Sequence, residues 1–379
     1  MPDPLTTIEK TTDAMTIQLL DAEGRRHQHA EYDPLVDDLD AGAVREMYRD
    51  MVLTRAFDAQ ATSLQRQGEL GLWPPSLGQE GAQVGSAHAL RPKDFVFPSY
   101  REHGVAQVRG MELPKLLALF RGTRHGGWDP HEHNFHLYSI VIGSHTLHAV
   151  GYAMGVQRDG DVGTGDQDRD RAVVTYFGDG ATSQGDVNEA LVFAASNNAP
   201  VVFFVQNNQW AISVPAATQS PVPLATRGTG FGIPSVRVDG NDVLACYAVA
   251  RQALERARSG GGPTFIEAVT YRLGAHTTSD DPSRYREREE EERWAGKDPI
   301  ARLRAYLESE HLADEEFFGA VEQEADELAT ATRDRCRELV AGPTVEMFDN
   351  VYQAPHPLVA AERADFLAYE ESFTDGGDA

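Results

Sequence analysis

The sequence predicts an α/β domain layered around a mainly parallel sheet, and three observations carry that prediction. Four short runs rich in β-branched and aromatic residues, at 172–177, 201–205, 236–238 and 264–269, are too short for typical helices and read as buried parallel strands. Amphipathic helical patterns separate them, so strand and helix alternate as in layered α/β folds. With 41% apolar and 25% charged residues over 379 positions and no internal repeat, the chain has the composition of one large globular core rather than a disordered segment.

In chain order, the polar first thirty residues read as part of an arm extending to residue 40. A helical stretch follows at 43–67, and 113–120 carries a proline in its first turn. Helix 186–196 has apolar residues at Val187, Ala190, Leu191 and Ala194, and helix 242–257 has them at Val243, Tyr247, Ala250 and Leu254. The biased segments 159–170, 214–234 and 284–293 read as surface loops, the last being a charge run that also suits a solvated helix face. Residues 298–340 read as helical, which puts one domain at 41–345 and a tail at 346–379.

Charge and cysteine content narrow the function. The chain has 34 basic and 59 acidic side chains, a net charge of −25, which excludes a nucleic-acid binder driven by phosphate neutralisation. No apolar run approaches the roughly 20 residues of a membrane span, and no secretory or transit signal opens the chain, so a cytoplasmic location is expected. Cys246 and Cys336 have no CxxC or Cys/His partner, which excludes a disulfide framework and fits a reducing compartment.

Ligands of open α/β sheets bind beyond the carboxyl ends of the strands. The run at 172–177 leads into Gly178-Asp179-Gly180-Ala181, whose glycine spacing is not the dinucleotide fingerprint and which no Lys-Ser/Thr pair follows. An Asp between two glycines permits a tight turn and close backbone approach while presenting a carboxylate, an arrangement suited to a hard cation carrying phosphate. The next run ends in Gln206-Asn207-Asn208-Gln209-Trp210. Consecutive strands usually neighbour one another, so Asn208 should emerge beside Asp179 and complete a magnesium-diphosphate site.

With this pair of motifs the chain resembles the thiamine-diphosphate enzymes, whose cofactor motif begins Gly-Asp-Gly and ends Asn-Asn about thirty residues later. More closely, it resembles the alpha subunit of the decarboxylase component of 2-oxo acid dehydrogenase complexes. The resemblance spans residues 45–355 through Gly78-Gln79-Glu80, Ser99-Tyr100-Arg101-Glu102-His103-Gly104, the cofactor motif, Trp210-Ala211-Ile212-Ser213, Arg237-Val238-Asp239-Gly240-Asn241-Asp242 and the segment from Tyr271 to Asp281. It implies the three-layer thiamine-diphosphate-binding fold with helical N- and C-terminal extensions. It makes Asp179, the Asn208 side chain and the Trp210 carbonyl the Mg2+ ligands, and Tyr100 and Arg101 the diphosphate contacts. Backbone groups at Ile140, with Ile142 beneath the cofactor's bend, would position the aminopyrimidine. Gly178, Gly180, Ala181 and Ala211 complete the cofactor contacts, and His276 combines diphosphate contact with a catalytic role during acyl transfer. Arg272, Asp280 and Tyr285 are implied as a surface for the lipoyl domain.

Three positions depart from the family pattern. Gln206 stands where branched-chain members have a phosphate-binding Arg; His145, after Ser144, replaces a Gln of the mammalian potassium site; and Thr277 replaces the regulatory serine, so control by a dedicated kinase does not follow. The histidines His131, His133, His136, His145 and His148 lack a helical i, i+4 pair and a completing Cys or carboxylate, so they read as loop and pocket-lining residues.

The superfamily's activating glutamate stands on a second domain, for which this length leaves no room. Glu80 and Glu189 are the in-chain rivals. The resemblance therefore implies a separate beta subunit, an alpha2beta2 heterotetramer, and passage of the acyl group to a lipoyl-bearing dihydrolipoyl acyltransferase. The 271–281 and 236–243 segments look more like branched-chain than pyruvate members, so a branched-chain 2-oxo acid substrate is favoured and pyruvate is second. A self-contained homodimeric decarboxylase and a non-catalytic acidic scaffold are the rival readings. Retention of Asp179, Asn208, Arg101 and His276 together opposes the scaffold.

Overall fold

The computed structural model describes residues 16–124 and 126–374. Its main sheet contains β1 (Phe95–Phe97), β2 (Val173–Gly178), β3 (Val201–Asn207), β4 (Ser235–Asp239) and β5 (Thr264–Val269). They lie in the order β1-β2-β3-β5-β4, and every pairing is parallel. The helices that matter most are α1 (Ala41–Arg66), α2 (Glu80–His88), α3 (His145–Arg158), α4 (Gly185–Asn197), α5 (Val243–Arg258), α6 (Glu315–Glu338) and α7 (Pro357–Thr374).

Alternation along the strands builds the layers. Val174, Tyr176, Val202, Phe204 and Ile266 enter one apolar core with residues of α1, α2 and α5. Val173, Phe177, Val201, Phe203 and Phe265 enter the other with residues of α3 and α4. The expected three-layer α/β fold is therefore present, with both faces of the central strands buried. Among the described residues, no helix is long and apolar enough to cross a membrane.

The structure revises several elements. β1 has only three residues, too few to announce itself in sequence. The segment 214–234 contains short helices Ala216–Gln219 and Ala225–Gly230, and the 284–293 charge run lies mostly on helix Arg288–Ala295, whose residues include none that is buried. The 298–340 stretch is two helices, Pro299–Ser309 and α6, separated by a turn in which His311 adopts φ +54°.

Residues 1–15 of the expected arm lie outside the described residues, but 16–40 belong to the body of the fold. Ile17 bonds β4 through Arg237 and Asp239 at 2.9 Å each way, and Leu19 and Leu20 are fully buried. The Asp242 carboxylate fastens this segment. Its Oδ2 accepts from the Leu19 and Leu20 amides at 2.6 Å, while Oδ1 caps α5 through Ala245 N at 3.0 Å. Asp242→Ala orphans three buried amides. It should cost roughly 3 kcal/mol in urea unfolding and expose residues 16–30 to limited proteolysis; unchanged stability with an uncut N-terminal segment would contradict this account.

Candidate active site

β2 and β3 pair from Val173↔Val201 through Gly178↔Gln206, so the residues that follow each strand emerge together at the carboxyl edge of the sheet. Asp179 begins a 3-10 turn, Asp179–Ser183, directly ahead of α4. A Cβ on Gly180 would stand 2.8 Å from that of Ala211, so the two strand-end loops are in van der Waals contact. Beside them lies a cavity of about 230 Å³.

The cavity wall includes Asp179, Asn208 and Trp210. Asp179 is 2% exposed, and burial pushes its carboxyl up to about 6 against the stabilising effects of backbone amides and Arg272. Arg272 Nη1 donates to the Trp210 carbonyl at 2.7 Å and lies 3.4 Å from Asn208 Oδ1, so one cationic nitrogen already touches two of the three expected ligand oxygens. Its Nη2 donates to Ile212 O at 3.0 Å. These bonds hold a turn in which Gln209 and Ile212 adopt φ +72° and +56°, conformations costing of order 1–3 kcal/mol each. A carboxylate, an amide oxygen and a carbonyl beside one another form a donor set for a hard cation.

The other wall is cationic. Arg101 Nη2 donates to the His276 carbonyl at 2.9 Å and lies 3.4 Å from its Nδ1, which must therefore be the accepting nitrogen. Burial, followed by the Arg101 and Arg272 guanidiniums, pulls the His276 imidazole down to about 3. Asp280 accepts from His276 N at 3.0 Å and from the Tyr285 hydroxyl, which fixes the loop. Glu102, buried in the wall, is pushed up to about 7 by burial. It accepts from Gln206 Nε2 at 2.7 Å, and Gln206 Oε1 accepts from Gln83 at 3.0 Å.

Of the residues singled out for cofactor binding, Tyr100, Arg101, Ile142, Gly178, Asp179, Gly180, Ala181, Asn208, Trp210, Ala211 and His276 share this wall. Ile140 lies outside the wall and is 55% exposed. Glu80 is fully buried away from the cavity and held by Arg55 at 2.8 Å and Gly78 N at 2.9 Å; Glu189 also lies off the wall. Arg272, expected at a lipoyl-docking surface, is 1% exposed and lines the cavity.

The histidines separate as loop and core residues. His145 donates from Nε2 to Tyr176 O at 2.7 Å, with burial pulling it down to about 4, while His136 stacks on Phe97. Among the described residues, no group of three or more His, Cys, Asp or Glu is arranged to hold a metal ion.

A model of the dehydrogenase E1 component family matches residues 48–338. The chain belongs to this family. It is 46% identical to a 3-methyl-2-oxobutanoate dehydrogenase subunit alpha of Mycobacterium tuberculosis H37Rv over 359 residues, covering 94% of this chain and 95% of that protein. It is 40% identical to the pyruvate dehydrogenase E1 component subunit alpha of Acholeplasma laidlawii, with 86% and 93% covered, and 39% identical to that of Bacillus subtilis, with 82% and 81% covered. The resemblance read from the motifs is thus shown, and the branched-chain preference agrees with the 46% match.

Within this E1 chain, the wall residues that the sequence left without a site role are Gln79, Ser99, Glu102, Gln184, Ile212 and Gln219, and Arg286 supports the wall from outside it. Gln79 and Glu102 sat inside quoted motifs, which was the available signal. Arg286 donates from Nη1 to Arg272 O at 2.8 Å and faces the rings of Tyr271, Trp210 and Tyr285, with centroid distances of 5.1, 5.6 and 5.9 Å. The site makes a direct prediction for His276. In isotope-edited NMR of the histidines, its ring should remain neutral, with the proton on Nε2, from pH 8 to pH 5; titration near the ordinary histidine value of about 6.5 would contradict the environment described.

Proposed function

We propose that the chain is the alpha subunit of a 2-oxo acid dehydrogenase. With a beta subunit, it would carry out thiamine-diphosphate-dependent oxidative decarboxylation of a branched-chain 2-oxo acid and acyl transfer to the lipoyl group of a dihydrolipoyl acyltransferase. The observation that carries this reading is the convergence, at the ends of β2 and β3, of a buried carboxylate, an amide oxygen and a carbonyl opposite Arg101 and His276. When bound, thiamine diphosphate supplies the electron sink that decarboxylation of a 2-oxo acid requires.

The chain's residues divide the remaining work. Asp179, Asn208 Oδ1 and the Trp210 carbonyl would hold Mg2+ bearing the diphosphate, their donor chemistry fitting that cation. Arg101 and Tyr100 would bind phosphate oxygens, with the Gly180 and Ala181 amides adding neutral donors. Neutral His276 retains one N–H, at Nε2, to donate to a phosphate or reacting oxygen. Ile142 would support the apolar part of the cofactor, and Glu102 with Gln206 would replace the phosphate-binding Arg of other members by a neutral or singly charged pair.

The need for a beta subunit is supported by what the cavity lacks. Glu80 and Glu189 are off the wall, and Glu102 is committed to Gln206. Ile142 and Ile212 line the cavity and, with Ile140 and Val141 next to Ile142 in the chain, are 38–70% exposed, which suits coverage by another subunit. An alpha2beta2 assembly with two such sites is the corresponding architecture. Pyruvate is the second substrate reading, supported by the 38–40% identical pyruvate-type relatives.

Decarboxylation by the chain with and without its candidate beta chain tests the proposal. Activity should require both chains, thiamine diphosphate and Mg2+, and Asp179→Ala should lower it by at least about 100-fold. The kcat/KM for 3-methyl-2-oxobutanoate should exceed that for pyruvate by roughly 10-fold or more. Turnover by this chain alone would return the activating role to one of its own carboxylates.

A further inference from the structure

The Gly78-Gln79-Glu80 turn is held by backbone hydrogen bonds from three directions. Gly78 has φ +93°, and a Cβ there would stand 2.3 Å from the Tyr271 carbonyl, so only glycine lets this turn lie against the exit of β5. Thr270 Oγ1 donates to Gly78 O at 2.8 Å, Leu273 N donates to Leu77 O at 3.0 Å, and Glu80 accepts from Gly78 N at 2.9 Å. Gln79 itself is 1% exposed and stands in the cavity wall.

Among the described residues, the side chain of Gln79 makes one hydrogen bond: Asn208 Nδ2 donates to Gln79 Oε1 at 2.8 Å, while Gln79 Nε2 has no acceptor. An asparagine amide can be placed with its oxygen on either side, and only one placement offers an oxygen to a cation. On its other side Asn208 meets donors, Trp210 N at 3.3 Å and Arg272 Nη1 at 3.4 Å. A rotated amide would set Nδ2 against those donors and Oδ1 against Gln79 Oε1. From this geometry we propose that Gln79 is a positioning residue for the metal site, selecting the rotamer of Asn208 whose oxygen faces the cation.

This rests on the magnesium-diphosphate reading of the cavity, and the test separates the two. Binding of Mn2+ in the presence of thiamine diphosphate is measured by electron paramagnetic resonance on the alpha-beta assembly. Gln79→Leu, which removes the acceptor, should weaken Mn2+ binding by about 10–100-fold, the usual range for loss of an outer-shell partner. Gln79→Glu keeps an acceptor for Asn208 Nδ2 and should bind Mn2+ at least as tightly as the parent. A role in packing alone predicts that Gln79→Glu, which buries a charge, is the more damaging change, and that outcome overturns the proposal.

In an Asn208→Asp background, whose carboxylate presents oxygen on both sides, Gln79→Leu should lose most of its effect; an undiminished effect also overturns it. Should Gln79→Leu fail to fold, Gln79→Ala carries the same expectations. Asp179→Ala is the reference. If it leaves Mn2+ binding intact, the cation site itself is misplaced; if it abolishes binding while Gln79→Leu does not weaken it, only the role of Gln79 fails.

Discussion

The parallel pairing of β2 with β3 is the constraint on which the rest of the molecule depends. Both strands are buried on both faces, so a slip of one residue would carry Val202 and Phe204 into the layer built for Phe203 and Val205. The register is therefore fixed by packing at both helical layers, and with it the alignment Gly178↔Gln206. The three expected ligand oxygens, on Asp179, Asn208 and Trp210, all start within a few residues of that pair. Asp179 leaves β2 into a 3-10 turn, and Asn208 leaves β3 into the turn that presents the Trp210 carbonyl. The apolar core thus determines where the carboxylate and the amide stand, without contributing an atom to either.

Charge is held in this cavity at an energetic disadvantage that the protein spreads over many bonds. Burial pulls Arg272 down to about 10 and pushes Asp179 and Glu102 up, so each charged form is less favourable here than in water. Arg272 is compensated by the Trp210 and Ile212 carbonyls, and Arg286 by two carbonyls and three aromatic rings. Packing alone would favour apolar residues at such positions. Their presence agrees with a site built for an anionic ligand accompanied by a cation, in which the guanidiniums and the ligand oxygens each find opposite charge.

Much of this was legible in the sequence because it is local. The runs at 201–205 and 264–269 announce the strands by side-chain type, and Gly178-Asp179-Gly180 with Asn207-Asn208 announce the site by falling just after two of them. What was not legible depends on contacts between residues far apart in the chain. The polar 16–40 segment joins the body through Ile17, Leu19 and Leu20, whose partners on β4 and Asp242 lie more than two hundred residues away. Arg272, which the resemblance implied for a lipoyl-docking surface, instead turns its side chain back to the Trp210 and Ile212 carbonyls. Ile140 departs in the opposite direction: an apolar residue expected at the cofactor is 55% exposed, with none of the described residues covering it.

The exposed apolar residues at 140–142 and 212 and the carboxylates of the chain lead to one conclusion. Glu102 is the glutamate in the cavity wall, and it stands beside Arg101 with Gln206 Nε2 already on its Oε1, among the groups proposed to contact phosphate. On the proposed reading, a carboxylate that activates the other end of the cofactor would come from outside this chain, which presents Ile142 and Ile212 at the cavity and the neighbouring Ile140 and Val141 to solvent. A beta subunit covering those four residues would bury their apolar surface and deliver the carboxylate in the same contact. Association would then be both the hydrophobic completion of the alpha chain and the step that makes its site chemically competent.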